Sequence, residues 1–221
     1  RYVVTVFAME YGCCCASPKR FATPAPTRCH VMFSGRFNQE ARIEYMSTVE
    51  NVLSDRYKIN TFMVKAAPGQ NFGAQTLAGL GGMAVMVAFC SSQYGEKTGI
   101  GYETFEELKF AHENDIPIIP VKLCHVYPPQ PQKPAACSKK YCPAPFSNML
   151  PPERDDEGCG QNSFVLRNSL VYIDGLTQDG QYIPPADLAR KIYESLNKNG
   201  FIQQVSLMSF DPKPRTSCTI S

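Results

Sequence analysis

Eight consecutive apolar residues, MAVMVAFC at positions 83–90, place the strongest constraint on how this chain can fold. A strand with one buried face alternates apolar and polar residues, whereas an unbroken apolar run is typical of a strand covered on both faces. Such strands occur in parallel sheets that carry helices on either side. Because the run is far shorter than the roughly 20 residues that cross a bilayer, it predicts a buried strand of an α/β domain.

Strand and helix patterns alternate along the chain around this run. Apolar or alternating segments predict further strands at 29–35, 57–65, 116–121 and 169–174. Apolar residues at helical spacing predict helices at 39–56, 74–80 and 186–198, and another that carries Glu107 and ends at 114–115. About five β-α units therefore lie between residues 29 and 199, and they predict a parallel sheet with right-handed crossovers.

Three segments lie outside this β-α rhythm. Residues 1–27 are predicted to be an N-terminal extension, within which 2–8 could add an edge strand. Residues 125–163 are rich in proline and cysteine and are predicted to be a long irregular insertion in a domain that spans 28–200. Residues 201–221 are predicted to form a C-terminal tail. An apolar fraction of 43% is typical of a globular chain, and a net charge of +2 argues against a broad nucleic-acid surface.

The ten cysteines allow several interpretations. Cys29, Cys90 and Cys124 fall in or beside predicted strands, so the first interpretation is reduced, buried thiols that behave as small apolar residues. A zinc site is an alternative, with ligands drawn from Cys137, Cys142, Cys159 and His125. The adjacent cysteines at 13–15 could be acylated or bind a metal. No metal ligand set is predicted from these alternatives.

One carboxylate stands out in the segment GYETFEELKFAHENDIPIIPV at 101–121. Glu107 lies near the start of a short helix that follows a glycine-containing loop and precedes an apolar strand. Ligands of open α/β sheets bind beside the carboxyl ends of the strands, where such loops and helix starts converge. The alternative is an exposed glutamate that the helix dipole favours at a helix N-terminus. Glu107 is therefore the candidate site residue of the chain.

Four segments together resemble the Toll/interleukin-1 receptor (TIR) domain family. VMFSGRFN (31–38) is similar to the first conserved box, and FMVKAAPGQNF (62–72) is similar to the second strand and the BB loop. AVMVAFCSSQY (84–94) is similar to the third strand, and EELKFAHENDIPIIPV (106–121) to the αC helix and fourth strand. The resemblance covers about 28–124 well and 164–199 loosely, and it leaves 1–27 and 125–163 without a counterpart.

The resemblance implies a flavodoxin-like, three-layer fold whose five parallel strands lie in the order 2-1-3-4-5. It also implies one of two activities. Some TIR domains assemble with other proteins through the BB loop, here 66–73, and others hydrolyse NAD at the nicotinamide-ribose bond with one glutamate. Glu107 takes that catalytic role by its spacing to Pro120. Glu103 stands where enzymatic members often have an aromatic residue, and as a like charge it would raise the pKa of Glu107 or repel the substrate.

The predicted binding residues surround this glutamate. They are Ser34, Gly35 and Arg36 after the first strand, Pro68, Gly69 and Phe72 in the BB loop, and Ser91 and Tyr94 after the third strand. Arg36 is expected to reach a phosphate of a dinucleotide, because a cation at a helix start is otherwise unfavourable. Phe72 would stack on a base or fix the loop to the core. Tyr94 would line the pocket, and 97–101 would serve as a lid.

The predicted partners follow from the same resemblance. No bound cofactor and no metal are expected, with NAD as the candidate substrate, and homotypic or heterotypic protein partners would bind through 66–73. No nucleic-acid partner and no transmembrane segment are predicted, and the expected location is the cytoplasm. A non-catalytic interaction module and a structural subunit of a larger assembly are the alternatives to a self-assembled NAD hydrolase.

Overall fold

The computed structural model describes residues 28–65, 72–99, 103–133, 153–167 and 170–206, apart from the side chain of Phe72. Five parallel strands form one sheet in the order β2-β1-β3-β4-β5. The strands are β1 (His30–Ser34), β2 (Thr61–Met63), β3 (Met83–Cys90), β4 (Ile118–Lys122) and β5 (Ile173–Asp174). The observed order confirms the predicted flavodoxin-like α/β fold, in which the strand order reverses between β1 and β3.

Helices connect the strands and cover both faces of the sheet. They are α1 (Glu40–Tyr57), α2 (Phe72–Gly82), α3 (Thr104–Glu113), α4 (Asp156–Val165), α5 (Pro185–Lys198) and the short α6 (Ile202–Val205). The helix α1 ends where Lys58 adopts a left-handed conformation (φ 56°) and its backbone N–H donates to the carbonyl of Leu53. The helices α1 and α5 pack on one face of the sheet, and α2 and α3 contribute to the core on the other.

The two cores explain why the apolar run at 83–90 is unbroken. All eight residues of β3 are buried. Val85, Val87 and Phe89 pack with the core beneath α1 and α5, whereas Met86, Ala88 and Cys90 pack with the core on the opposite face. Because each fully buried apolar side chain stabilises the fold by about 1.5–3 kcal/mol, a polar residue on either face of β3 would be costly.

The elements differ from the sequence prediction in length and in two additional helices, α4 and α6. The strands β2 and β5 are shorter than the predicted 57–65 and 169–174, and α6 lies at the start of the predicted tail. The helix α4 occupies the last part of the segment predicted to be irregular. It is stabilised by Asp155, which caps its N-terminus by accepting a hydrogen bond from the backbone N–H of Gly158. Its sequence, DEGCGQNSFV, contains two glycines and lacks an apolar stripe, which explains why it was not predicted.

The cysteines in the described part of the chain are free thiols. Cys90 and Cys124 are buried, as predicted, and Cys159 is buried as well, whereas Cys29 is only half-buried. Burial raises the pKa of Cys124 to about 11, so this thiol is protonated and unreactive at neutral pH. Among the described residues, no group of three or more His, Cys, Asp or Glu could hold a metal ion. The cysteines at 13–15, 137 and 142 lie outside the described residues.

No helix among the residues that the structure describes is long and apolar enough to span a bilayer.

Candidate functional site

Three predicted site residues meet at the carboxyl ends of β1 and β3. Ser34 is the last residue of β1, and it pairs in register with Ala88 of β3. Tyr94 lies in a turn after β3, and its backbone N–H donates to the backbone carbonyl of Ser91 at 3.0 Å. Glu107 lies in the first turn of α3. The strand order reverses between β1 and β3, and that reversal is where open α/β sheets bind ligands.

A short chain of hydrogen bonds joins these side chains. The Ser34 hydroxyl donates to Oε2 of Glu107 at 2.6 Å, and the Ser34 and Tyr94 hydroxyl oxygens lie 2.9 Å apart. Because Ser34 has a single proton and gives it to the carboxylate, Tyr94 is the donor to Ser34 when Glu107 is ionised. Ser34 and Tyr94 have no exposed surface and Glu107 is 3% exposed. Two neutral hydroxyls therefore fix the orientation of a buried carboxyl group.

The carboxyl group of Glu107 is strongly affected by its surroundings. Burial raises the pKa of Glu107 from 4.5 to about 7, and the hydrogen bond from Ser34 opposes that rise. The helix dipole at the start of α3 favours the ionised form, but it does not overcome the loss of water. Perturbed carboxyl groups of this kind are more frequent at functional sites than elsewhere, which favours a functional role over an exposed surface glutamate.

Glu103 does not act on Glu107 in the predicted way. Its carboxylate turns toward the loop after β3, where it accepts hydrogen bonds from the Thr98 backbone N–H at 2.7 Å, the Thr98 hydroxyl and the Gly99 backbone N–H at 3.4 Å. Burial is the cause of the raised pKa of Glu107. The first of the two expectations, that Glu103 raises the pKa of Glu107, is therefore wrong, whereas repulsion of a substrate stays a prediction. In the structure Glu103 holds the loop against the start of α3.

Glu107 contributes to the wall of a groove between α2 and α3. The groove has a volume of about 230 Å³. It is lined by Thr76, Leu77 and Leu80 of α2 and by Glu106, Glu107, Lys109, Phe110 and Glu113 of α3. The lining combines apolar side chains with three carboxyl groups and one ammonium group, so the groove is partly apolar and has more acidic than basic side chains. Because Glu107 is only 3% exposed, its carboxyl group is almost wholly shielded from water beside this groove.

Arg36 lies at the rim of the site but is already paired. Its Nη2 atom is 2.7 Å from Oε2 of Glu96, in the loop after β3. The pKa of the Glu96 carboxyl is raised, mainly because the group is buried. Arg36 opposes that rise, and the nearby carboxylates of Asp155 and Glu103 add to it. The Nε atom of Arg36 is buried without a hydrogen-bond partner among the described residues. A phosphate that binds Arg36 would therefore have to share or displace Glu96.

Gly35 and Ser91 have local roles in the structure. A Cβ atom on Gly35 would lie 2.7 Å from Cε of Met46, so glycine allows α1 to approach the end of β1 closely. Ser91 is 1% exposed, and its hydroxyl has no partner in the described part of the chain. A ligand role for either residue stays a prediction.

The BB loop residues are only partly covered. Pro68 and Gly69 lie outside the described residues, and Phe72 begins α2 without a described side chain. Lys65, at the start of the loop, forms an ion pair with Glu50 at 2.5 Å. Glu96 and Asn162, which contact the residues of this site, were not singled out from the sequence. The only signal was their position, since Glu96 follows β3 at the ligand-binding edge and Asn162 is an amide in the unassigned insertion.

Comparisons with known proteins give matches among solved structures. No protein-family model matches the chain, and no curated protein matches it. Among solved structures, the chain is similar to the TIR domains in the structure of the activated Roq1 resistosome, which directly recognises the pathogen effector XopQ. The two chains are 21% identical, with a TM-score of 0.35, over 42% of this chain and 56% of that chain. This chain therefore spans just over half the length of that relative.

The strands and helices of the structure define its fold independently of that alignment. The quoted segments resembling the family lie on β1, β2, β3, α3 and β4, in the order that the resemblance implies. The sheet order of 2-1-3-4-5 is the one expected of such domains. The chain has a TIR-like fold.

Proposed function

We propose that this chain hydrolyses the nicotinamide-ribose bond of NAD and that Glu107 is its catalytic residue. The observation that carries the proposal is the buried carboxyl group of Glu107, which Ser34 orients at the carboxyl end of β1 and which belongs to a residue in the wall of the groove between α2 and α3. A structural glutamate would gain more from exposure at the helix start. Holding a carboxyl group out of water is costly, and that cost is expected at a site where charge develops during a reaction.

The proposed reaction breaks one bond to a cationic leaving group. The electron pair of the C1′–N bond moves to the nicotinamide nitrogen, which neutralises the pyridinium ring and leaves positive charge on the ribose. The ionised Glu107 carboxylate stabilises this oxocarbenium-like state, as carboxylates do in glycoside hydrolysis. Water then adds to C1′ and loses a proton, and the products are nicotinamide and ADP-ribose. The apolar side chains of Leu77, Leu80 and Phe110 would pack against the nicotinamide ring.

Self-assembly through residues 66–73 belongs to the same proposal. The loop connects β2 to α2, and α2 forms one wall of the groove. A contact between copies at this loop would therefore affect the position of α2 and, with it, one wall of the groove. We expect the activity to depend on protein concentration for that reason. A cytoplasmic location stays a prediction.

Nicotinamide release tests the proposal directly. The purified chain is incubated with NAD at high protein concentration and under crowding, and nicotinamide and ADP-ribose are quantified by chromatography. We expect both products in equal amounts, at a rate that rises more steeply than in proportion to protein concentration. Release no faster than in a heat-denatured sample would contradict the proposal.

The rate should also depend on pH in a defined direction. Only the ionised carboxylate stabilises positive charge, and burial places the pKa of Glu107 at about 7. The value of kcat/KM should therefore fall about tenfold for each pH unit below 7 and become constant above pH 7. A profile measured between pH 5.5 and 9 at constant ionic strength checks this. A rate that is flat between pH 5.5 and 7 would exclude Glu107 as the group that must be ionised.

A non-catalytic interaction module is the second candidate. Two observations favour it: the Leu77 side chain of α2 is 59% exposed, and Arg36 is occupied by Glu96. An exposed leucine beside the predicted BB loop suits a protein contact, and a paired arginine is less available to a phosphate. The discriminating result is concentration-dependent assembly, measured by light scattering, in a protein that releases no nicotinamide. The effect of Leu77→Ser on that assembly would then locate the contact.

A further inference from the structure

The insertion that the resemblance leaves unexplained contacts the candidate site through α4. Asn162 of α4 has no exposed surface. Its Nδ2 atom donates to the backbone carbonyl of Tyr94 at 2.7 Å and to that of Pro129 at 3.0 Å. A buried side-chain amide bonded to two backbone carbonyls fixes both segments, because a buried carbonyl left without a donor is unfavourable.

Gly158 of α4 and Gly95 of the loop after β3 allow the helix and the loop to come into backbone contact. A Cβ atom on Gly158 would lie 2.4 Å from the carbonyl oxygen of Gly95. A Cβ atom on Gly95, whose φ is +78°, would lie 2.3 Å from Oδ1 of Asn162. Real Cβ atoms do not approach other heavy atoms this closely, and the two contacts are with a backbone oxygen and with a buried side-chain oxygen. Neither position therefore accepts a larger residue without separating the helix from the loop.

The start of α4 holds the other end of the same loop. Asp155, 4% exposed, accepts hydrogen bonds from the backbone N–H groups of Gly158 at 3.1 Å and Lys97 at 2.8 Å. The ammonium group of Lys97 is also paired with Glu157. The segment 94–97 is thus bound to α4 at both ends and in the middle. This segment carries Tyr94, which contacts Ser34, and Glu96, which holds Arg36.

We propose that Asn162 is a positioning residue and that α4 of the insertion holds Tyr94 in place over Ser34 and Glu107. The residues that line the groove come from α2 and α3, so α4 acts through the 94–97 segment and not by touching the ligand. When α4 separates from the loop, the Tyr94 hydroxyl withdraws and water reaches the Glu107 carboxyl group. The consequence for the reaction rate rests on the proposed function, whereas the consequence for the carboxyl group does not.

Two glycines of α4 provide a matched pair of variants. Gly158→Ala forces the helix away from Gly95, whereas a Cβ atom on Gly160 meets nothing within 4 Å. The titration midpoint of Glu107 is measured by NMR in the full chain with carboxyl-labelled glutamate, using Glu107→Gln to assign the signal. We expect G158A to lower the midpoint by at least about one pH unit and G160A to leave it unchanged. This readout does not require catalysis.

Kinetics supply the second readout if the chain cleaves NAD. G158A should lower kcat at least tenfold with less than a threefold change in KM, because the groove itself is intact, and G160A should change neither. If G158A does not fold, Asn162→Ser replaces it, with the exposed Ser163→Ala as its control. A Glu107 midpoint that is the same in the folded disrupting variant and in its control would overturn the positioning role. Absence of cleavage by the wild-type chain would count against the proposed function alone.

Discussion

Glu107→Gln should lower the rate of nicotinamide release from NAD by about 10²–10³-fold, the loss typical of removing a group that stabilises transition-state charge. Glutamine has nearly the same shape as glutamate, and its amide oxygen can accept the hydrogen bond that Ser34 gives to Oε2. The substitution therefore removes the negative charge while it keeps the groove and the orientation of the side chain. Initial rates are measured by chromatography at pH 8, where the wild-type carboxyl group is ionised.

Glu106→Gln is the matched control. Glu106 is the preceding residue of α3, lines the same groove, and is half-buried, whereas Glu107 is buried. Its loss changes the charge of the groove by the same amount without removing the carboxylate held by Ser34. We expect the rate of E106Q to stay within about threefold of the wild-type rate, because partly exposed charges interact weakly. Equal losses in the two variants would mean that groove charge, and not Glu107 itself, governs the reaction.

The fold could be predicted from the sequence because burial leaves a periodic trace. The unbroken apolar run of β3 and the alternation of strand and helix patterns indicate a covered parallel sheet, and the observed strand order confirms it. The helix α4 left no such trace. It buries Gly158, Cys159 and Asn162, which carry little or no apolar signal. Its position is set by hydrogen bonds and close backbone contact, which depend on three-dimensional structure.

The sequence points to Ser34, Tyr94 and Glu107 but not to the hydrogen bonds that join them. Ser34, Tyr94 and Glu107 were each named from their positions after strands or at a helix start, because the carboxyl edge of the sheet is where such residues converge. The pairing of Arg36 with Glu96 could not be foreseen, since 60 positions separate the two residues and only the folded sheet edge brings them together. The orientation of the Glu103 carboxylate could not be predicted either, because it depends on where the backbone N–H groups of Thr98 and Gly99 point in the folded loop.

Glu107→Gln should also make the unfolding free energy depend less steeply on pH. The rise in the pKa of Glu107 from 4.5 to about 7 means that the folded state holds a proton which the unfolded state has already lost in this range. Stability therefore falls as the pH increases from about 4.5 to 7 and reaches its full loss above 7. At about 1.4 kcal/mol per pKa unit, the loss amounts to about 3 kcal/mol.

Because glutamine does not titrate, E107Q avoids this loss, and the difference between the two proteins should itself change with pH. Denaturant unfolding at pH 4.5 and at pH 8 should show E107Q gaining about 3 kcal/mol relative to the wild type between the two conditions. Comparing the change, and not the absolute values, cancels any fixed cost of packing the amide group. Glu113→Gln, at the exposed end of the same helix, serves as the control and should show no such gain.

A variant that is less active and more stable at pH 8 would show that the fold holds a carboxylate at the expense of stability. If the difference in unfolding free energy between E107Q and the wild type is the same at both pH values, the Glu107 carboxyl group is hydrated in solution. That result would remove the main support for a catalytic role.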